Sequence, residues 1–403
     1  MGDKWKMMLF EDCAELIRDT CQPEEAFGKP YIGLEHIEQG NLRLSGIGVA
    51  EDVSSTKSKF KAGDILFGKL RPYFRKVVRP RFDGICSTDI WVVRSKKGIE
   101  QGFLFYWMAS KEFVDIANQG SEGTKMPRAK WDFVAKIKQE IPPLPEQKAI
   151  ASILGALDDK IELNRKMNET LEAMARAIFK SWFVDFDSIP GFGLHKEWQD
   201  SPLGKIPKGW RIFKIGEELT TVLGGTPSRS NPDYWTNGTI PWINSGKVNE
   251  FRIIQPSEYI TEDALNNSAT KLLPERTTVL AITGATLGQI SLLEIQSCAN
   301  QSVVGILGSN ILPNEFIYFW IKHKVDDLIA WQTGGAQQHI NKDNVNNLNI
   351  LCPSIDAIRA YIQTVKPLFD MIKNNCFESR SLTAIRDELL PKLLSGEIRV
   401  KVN

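Results

Sequence analysis

Residues 150–182 read IASILGALDDKIELNRKMNETLEAMARAIFKSW, and residues 361–393 read YIQTVKPLFDMIKNNCFESRSLTAIRDELLPKL. In the first stretch one series of positions steps by fours and threes: Ile150, Leu154, Leu157, Ile161, Asn164, Asn168, Leu171, Ala175, Ile178 and Trp182. Apart from its two asparagines the series is apolar. Such spacing lays one stripe along a helix and marks a coiled-coil seam. Adding 211 to each number lands on Tyr361, Val365, Leu368, Ile372, Asn375, Ser379, Leu382, Arg386, Leu389 and Leu393. The polar interruption sits at the middle of both series. If the two helices pack antiparallel, Asn164 and Asn168 face Asn375 and Ser379, a pairing that costs stability but fixes register. The other reading is two separate amphipathic helices, each buried in its own domain; the coincident polar breaks favour the pair. Gly155 and Pro367 predict a short lead-in and a bend in each helix. Pro391, which has no backbone N–H to donate, predicts an end or a kink in the second. From Glu146 to Val184, 39 residues, the helix would measure about 60 Å, the length of ~17 base pairs.

Outward from these helices the chain repeats itself. Trp5-Lys6 is matched by Trp210-Arg211, and Thr20-Cys21-Gln22-Pro23 by Gly225-Thr226-Pro227-Ser228. Pro30-Tyr31-Ile32 is matched by Pro241-Trp242-Ile243, and Asp64–Phe67 by Thr278–Ala281. Phe103-Leu104-Phe105-Tyr106-Trp107 is matched by Phe316-Ile317-Tyr318-Phe319-Trp320. The separation is roughly 210 residues throughout, which means a duplicated module and not a solenoid. In each copy short β-like runs (Asp64–Phe67 and Ile90–Val93; Thr278–Ile282 and Ser302–Leu307) precede a helical stretch, near Phe103–Ala117 and Phe316–Trp331. A proline-containing segment then leads into the long helix. The predicted organisation is a first α/β module over 1–145, a central helix over 146–187 and a linker over 188–209, rich in proline and glycine. A second module over 210–353 and a distal helix with its tail over 354–403 complete it.

The chain has 403 residues, room for two or three domains with sizeable cores. Fifty Lys and Arg stand against 49 Asp and Glu, for a net charge of +1. A wholly basic, histone-like protein is thereby excluded, although a balanced total can hide a local basic patch. No apolar run approaches the ~18 residues of a membrane span, and no signal peptide is evident. Six scattered cysteines without a CxxC pair predict reduced thiols and a cytoplasmic location. Four distant histidines offer no metal-binding spacing.

One segment is strongly charged. Lys57–Arg81 holds nine basic residues and one acid, Asp64, for a net +8, with Phe60, Tyr73 and Phe74 interleaved. That composition suits a phosphate-tracking surface; a solvated strand pair with charged edges is the alternative. Loops at matching positions, Gly120–Lys125 with Arg128 and Thr333–Gln338 with Asn341 and Lys342, carry glycines that permit close backbone approach. Their amides and arginine can make paired hydrogen bonds to base edges, adenine for the amides and guanine for arginine. The candidate DNA-binding set in the first copy is Lys69, Arg71, Tyr73, Lys76, Ser87, Thr88, Ser121, Thr124, Lys125 and Arg128. In the second copy it is Asn244, Ser245, Lys247, Thr283, Thr286, Asn300, Gln301, Thr333, Gly334, Gln337, Gln338, Asn341 and Lys342.

Three motifs that suggest catalysis fall away. Gly63–Lys69 has phosphate-loop spacing, but Leu70 stands where Ser or Thr would hold magnesium, and the segment runs through a strand. Asn231-Pro232-Asp233-Tyr234 resembles the Asn-Pro-Pro-Tyr loop of amino-methyltransferases, yet Asp233 breaks the Pro-Pro pair and no glycine-rich cofactor loop accompanies it. Asp158-Asp159-Lys160 looks like half a nuclease metal site, but inside the coiled-coil pattern it reads as a solvated face. No nucleophile, acid–base pair, metal cluster or cofactor site emerges.

The stretches Leu157-Asp158-Asp159-Lys160-Ile161 through Phe186 and Arg386–Ile398, with Gly225-Thr226-Pro227-Ser228 leading to Ile240-Pro241-Trp242, resemble the specificity subunits of type I restriction–modification enzymes. The resemblance covers essentially the whole chain. It implies two α/β target-recognition domains separated by an antiparallel pair of long coiled-coil helices. Each domain would read one half of a bipartite site in double-stranded DNA. The helices would space the halves and dock methylation subunits, two of them, which restriction subunits join. Methyl transfer and ATP-dependent cleavage would then reside in those partners and not in this chain. A DNA-processing enzyme with a duplicated domain is the alternative.

Overall fold

The computed structural model describes residues 4–123, 125–191, 195–331 and 339–401. They divide into two units, one of residues 1–161 with 381–403, the other of residues 162–380.

In the first unit Lys6–Leu9 pairs antiparallel with Lys138–Ile141, sewing the start of the chain to the segment that leads into the long helix. A four-stranded sheet follows in the spatial order Ala14–Ile17, Ile90–Ser95, Ile65–Gly68, Val77–Val78. A second sheet runs Thr20–Cys21, Lys57–Phe60, Gly84–Cys86, Pro30–Ile32, Gly48–Val49. Ile65, Leu66 and Phe67 are all buried, so their apolar run is a strand covered on both faces. The predicted helix near Phe103–Ala117 is two helices, Gln101–Ala109 and Lys111–Gln119. Ser110 divides them: its extended backbone ends the first, and its hydroxyl accepts from Phe113 N at 3.2 Å to cap the second. The first is apolar on every side and wholly buried after Gln101. Phe10, Phe67, Trp107 and Phe113 pack with it into a core that Ile150, Leu154, Leu390, Leu393 and Leu394 complete.

The second unit repeats this plan, with four strands in its second sheet where the first unit has five. Arg211–Lys214 pairs with Asn349–Cys352. One sheet runs Thr220–Leu223, Val303–Leu307, Thr278–Ala281, Ile290–Leu292, and the other Glu258–Ile260, Ile240–Ile243, Ser297–Ala299, Leu272–Leu273. Each copy has one parallel pair at the same place, Pro30–Ile32 with Gly84–Cys86 and Ile240–Ile243 with Ser297–Ala299. The helix Asn314–Ile329 is continuous here. The segment read as a linker is more ordered than its prolines and glycines imply. Trp198–Ser201 and Gly204–Pro207 form a hairpin, and Ile189, Ile206 and Trp210 enter the core of the second unit.

The long helices span Leu144–Phe183 and Ile355–Ser395. The first ends short of the predicted 187. The second is continuous through Pro367 and Pro391, so Pro391 does not end it. Pro391 lies in its last turns, where Leu393 and Leu394 are buried and Gln139 donates to the Leu394 carbonyl at 3.0 Å. Gly396, at φ +77°, ends it.

The helices run antiparallel within each unit. Ile150 and Leu154 share a core with Leu390 and Leu393 in the first, while Phe179 and Trp182 pack on Tyr361 in the second. The polar centres meet as the sequence indicates. Asn375 Nδ2 donates to Asn168 Oδ1 at 2.9 Å, and Asn164 Nδ2 donates to Glu378 Oε2 at 2.8 Å and Ser379 Oγ at 3.3 Å. Beyond this centre the seam departs from strict heptads. Glu172, Phe179, Phe369 and Leu390 are buried, while their predicted neighbours Leu171, Ile178, Leu368 and Leu389 are half-buried. Leu157, Ile161 and Leu382 are also half-buried, and Ile372 is buried. A helix of 3.6 residues per turn drifts about 20° per heptad, which moves the stripe by one residue over this length. Asn375→Leu should cost about 1–3 kcal/mol, because Asn168 Oδ1 loses its donor. The double change with Asn168→Leu should recover most of that in a urea titration. Equal losses in the single and double variants would show that the pairing contributes nothing.

Candidate nucleic-acid interface

Three loops of the first unit converge at the ends of its strands. Lys69 N donates to the Asp89 carbonyl at 2.9 Å, Ala129 N to the Lys69 carbonyl at 2.9 Å, and Arg71 N to the Pro127 carbonyl at 2.7 Å. Leu70 and Arg128 form a β-bridge. These bonds bring Lys69, Arg71, Ser87, Thr88, Lys125 and Arg128 to one place. Ser121 lies on the same loop, its hydroxyl turned back to the Asn118 carbonyl at 2.6 Å.

The second unit repeats two of these bonds and the bridge at a separation of 211 to 213 residues. Ile282 N donates to the Ser302 carbonyl at 2.9 Å and Ile340 N to the Ile282 carbonyl at 3.0 Å, while Thr283 bridges His339. Ser87 N on the Ile32 carbonyl is matched by Asn300 N on the Ile243 carbonyl. Arg71 (φ +51°) and Gly284 (φ +65°) share the left-handed conformation at equivalent stations. Glycine adopts it freely; the arginine does so at a steric cost of about 1 kcal/mol. The main chain of the two sites is therefore one design, while the side chains differ. Lys69, Arg71, Asp89 and Arg128 stand where Ile282, Gly284, Ser302 and His339 stand. The first site is cationic and the second carries neutral amides and hydroxyls: Asn300, Gln301, Ser302 and Thr283, with Thr226 donating from its hydroxyl to Gln301 Oε1. Thr286 turns its hydroxyl to the Thr283 carbonyl.

Of the other sequence candidates, Asn244 caps the short turn Ser245–Asn249, and Lys247 pairs with Glu250 at 2.6 Å. Asn341 caps Lys342–Asn347, with Asn344 reciprocating, both bonds 2.8 Å. Thr124, Thr333, Gly334, Gln337 and Gln338 lie outside the described residues.

The basic segment is not one exposed stripe. Lys57 is buried, its ammonium held by Ser55. Lys59 is 3.6 Å from Asp19, and Arg81 pairs with Asp159 of the long helix. Arg75 donates to the Ala109 carbonyl at 2.6 Å, and Lys76 to the Leu34 carbonyl at 2.6 Å. Lys69, Arg71 and the exposed Tyr73 remain on the loop cluster. Sequence reading missed Asp89 and His339. The offset of 211 between Arg128 and His339 was the available signal.

Polar anchors tie each module to the long helices. Asp158, read as a solvated residue, accepts from Tyr106 Oη at 2.6 Å and from buried Arg386 at 2.7 Å. In the second copy Tyr318, one position before the Phe319 that matches Tyr106, donates to Glu172 Oε1 at 2.9 Å. Arg252, whose side chain is fully buried, donates to Glu172 Oε2 at 2.7 Å, and Lys322 to Oε1 at 2.9 Å. Burial alone would raise the Glu172 carboxyl, but Arg252 and Lys322 beside it hold it down at about 2. Behind Arg252, burial pushes Glu294 up to about 7 against the pull of Arg276 and Arg252.

The family model for the type I restriction modification DNA specificity domain matches residues 3–173 and 207–376. The MjaIX specificity subunit of a type I restriction enzyme from Methanocaldococcus jannaschii is 28% identical over 76% of this chain and 71% of its own. The HindI specificity subunit from Haemophilus influenzae is 27% identical over 85% of this chain and 88% of its own. A crystal structure of the type I restriction-modification S subunit from M. genitalium superposes with a TM-score of 0.58, at 16% identity, over 99% of this chain and 97% of that one. That likeness concerns the fold. With two matched segments that fall on the two copies of one topology, the chain belongs to the family of type I restriction–modification DNA specificity subunits and carries its defining domain twice.

Proposed function

We propose that each module reads one half of a bipartite site in double-stranded DNA, and that the long helices set the spacing between the halves. The modules are residues 1–145 and 210–353, joined through the helix over 146–187 and the linker over 188–209, with the distal helix and tail over 354–403. The helices dock methylation subunits, two per chain, and restriction subunits join through that complex. Methyl transfer and ATP-dependent cleavage belong to those partners, and the assembly works in the cytoplasm. The observation that carries this reading is the three-loop site built twice on the same main-chain bonds with different side chains. A fold duplicated for stability alone has no reason to keep the frame and exchange the chemistry it presents. Phosphate contacts position a protein on DNA while base contacts specify sequence. Lys69, Arg71 and Lys125 are placed for the first role in module one, and the amides of Asn300 and Gln301 for the second in module two.

Lys69→Ala or Arg71→Ala, in the complex with its methylation subunits, should weaken binding to all duplexes alike. Each should also reduce the slope of log K against log salt by ~1. An unchanged slope in a binding titration would remove these residues from the phosphate surface. Absence of any sequence preference in the wild-type complex would overturn the reading itself.

A further inference from the structure

We infer that Arg128, held by Asp89, is the guanine-reading side chain of the first module. The inference rests on the bipartite reading above and gives it a base and an atom.

The geometry is specific. Arg128 Nε donates to Asp89 Oδ1 at 2.9 Å and Nη2 donates to Oδ2 at 3.1 Å. The carboxylate therefore occupies one long edge of the guanidinium. A guanidinium carries five N–H donors in a rigid fork. The end edge, made of Nη1 and the second hydrogen of Nη2, points away from Asp89. The side chain is 47% exposed, and neither bond to Asp89 uses this edge. A pair of parallel donors fits O6 and N7 of guanine, both acceptors in the major groove. Adenine presents an amino donor where guanine has O6, so the same edge meets a donor there and is refused. Asp89 fixes the fork before binding, which reduces the side-chain entropy lost on contact.

The ordinary alternative is an ion pair that merely ties two loops together. The second module argues against it. Its loops are joined by the same main-chain bonds, yet Ser302 stands at the Asp89 station and His339 at the Arg128 station. The frame there is built without a carboxylate–guanidinium pair at these two stations. An exposed pair also contributes little to stability. What the pair adds to the first module is an aimed guanidinium, next to Lys69, Arg71 and Lys125, which can hold the phosphates on either side.

The test uses the full chain in complex with its methylation subunits. Sequencing of methylated sites first defines the motif; the half that survives exchange of the second module belongs to the first. Duplexes of that motif are then made with 7-deazaguanine, which lacks the N7 acceptor, at each guanine of that half in turn. One position should cost the wild-type complex about tenfold in affinity. In Arg128→Ala the same replacement should cost nothing further. Arg128→Lys keeps the charge but loses the fork, so it should behave like Ala here while retaining the wild-type salt slope. Asp89→Ala should shrink the deaza penalty to roughly threefold, and Asp89→Glu should restore part of it. Thermal unfolding should be unmoved in all four. Three results would overturn the inference. They are a first half-site without guanine, a deaza penalty that persists in Arg128→Ala, and full rescue by Lys, which would mean a phosphate contact. A complex with no sequence preference would instead overturn the underlying reading.

Discussion

Arg252→Ala should destabilise the second module by about 3–5 kcal/mol, because it breaks a buried ion pair and leaves Glu172 Oε2 without its guanidinium, with Lys322 holding only Oε1. Arg252 reaches out of the loop after Phe251 and lies over the rings of Tyr318 and Phe369, at 4.7 and 5.4 Å from their centroids. Its guanidinium joins a carboxylate of the central helix to the module's own helix. Glu172 is a depressed carboxyl, at about 2. Its contribution is fully present above the ordinary ~4.3 and is lost as pH falls toward 2. Glu294 acts in the opposite direction. Its carboxyl is raised to about 7, so its charged form is disfavoured in the fold, and stability is lost as pH rises from ~4.3 through 7. In urea titrations the wild type should therefore weaken between those values and Glu294→Gln should not. Replacing both Arg252 and Glu172 by Met and Leu should recover most of what Arg252→Ala loses. A loss under ~1 kcal/mol for Arg252→Ala would show that the cluster is not what holds the module to the helix.

Four residues inserted after Lys166 should lengthen the unread spacer or abolish activity. The insertion adds ~6 Å of helix, close to ~2 base pairs, and about one turn plus a tenth of rotation. It also carries Asn164 and Asn168 out of step with each other against Glu378, Ser379 and Asn375, since the partner helix keeps its length. A matching insertion on the other side of the polar centre, after Phe377, should relieve that strain and give a longer spacer with activity restored. The readout is the set of methylated sites in cells that also express the methylation subunits. Full activity with an unchanged spacer would show that the helices are not the ruler.

Much of the fold was legible because duplication doubles every weak signal. Ile150 through Trp182 gave the seam, and the shared position of Asn164 and Asn375 at its centre indicated that the two helices pair. What sequence could not show was drift: Phe179 and not Ile178 is buried, because a heptad template assumes 3.5 residues per turn and a straight helix has 3.6. Pro391 misled because a proline near a helix end loses one hydrogen bond, a cost that the burial of Leu393 and Leu394 outweighs. The candidate site was legible as loops but not as chemistry. Nine cations in Lys57–Arg81 suggested one surface, yet their partners divide them: Lys57 is buried on Ser55, Lys59 reaches Asp19 and Arg81 reaches Asp159. Asp89 looked ordinary in sequence. Only the main-chain bonds from Lys69 bring it against Arg128, 39 residues away.

The central claim is that two modules read two halves independently. Replacing everything from residue 208 to the end of the second module with the same segment of another specificity subunit tests it directly. Methylated sites would be sequenced in cells carrying the hybrid chain and the methylation subunits. One half of the motif should change, and the other half and the spacer should stay as they were. A hybrid whose two halves both changed would contradict the account.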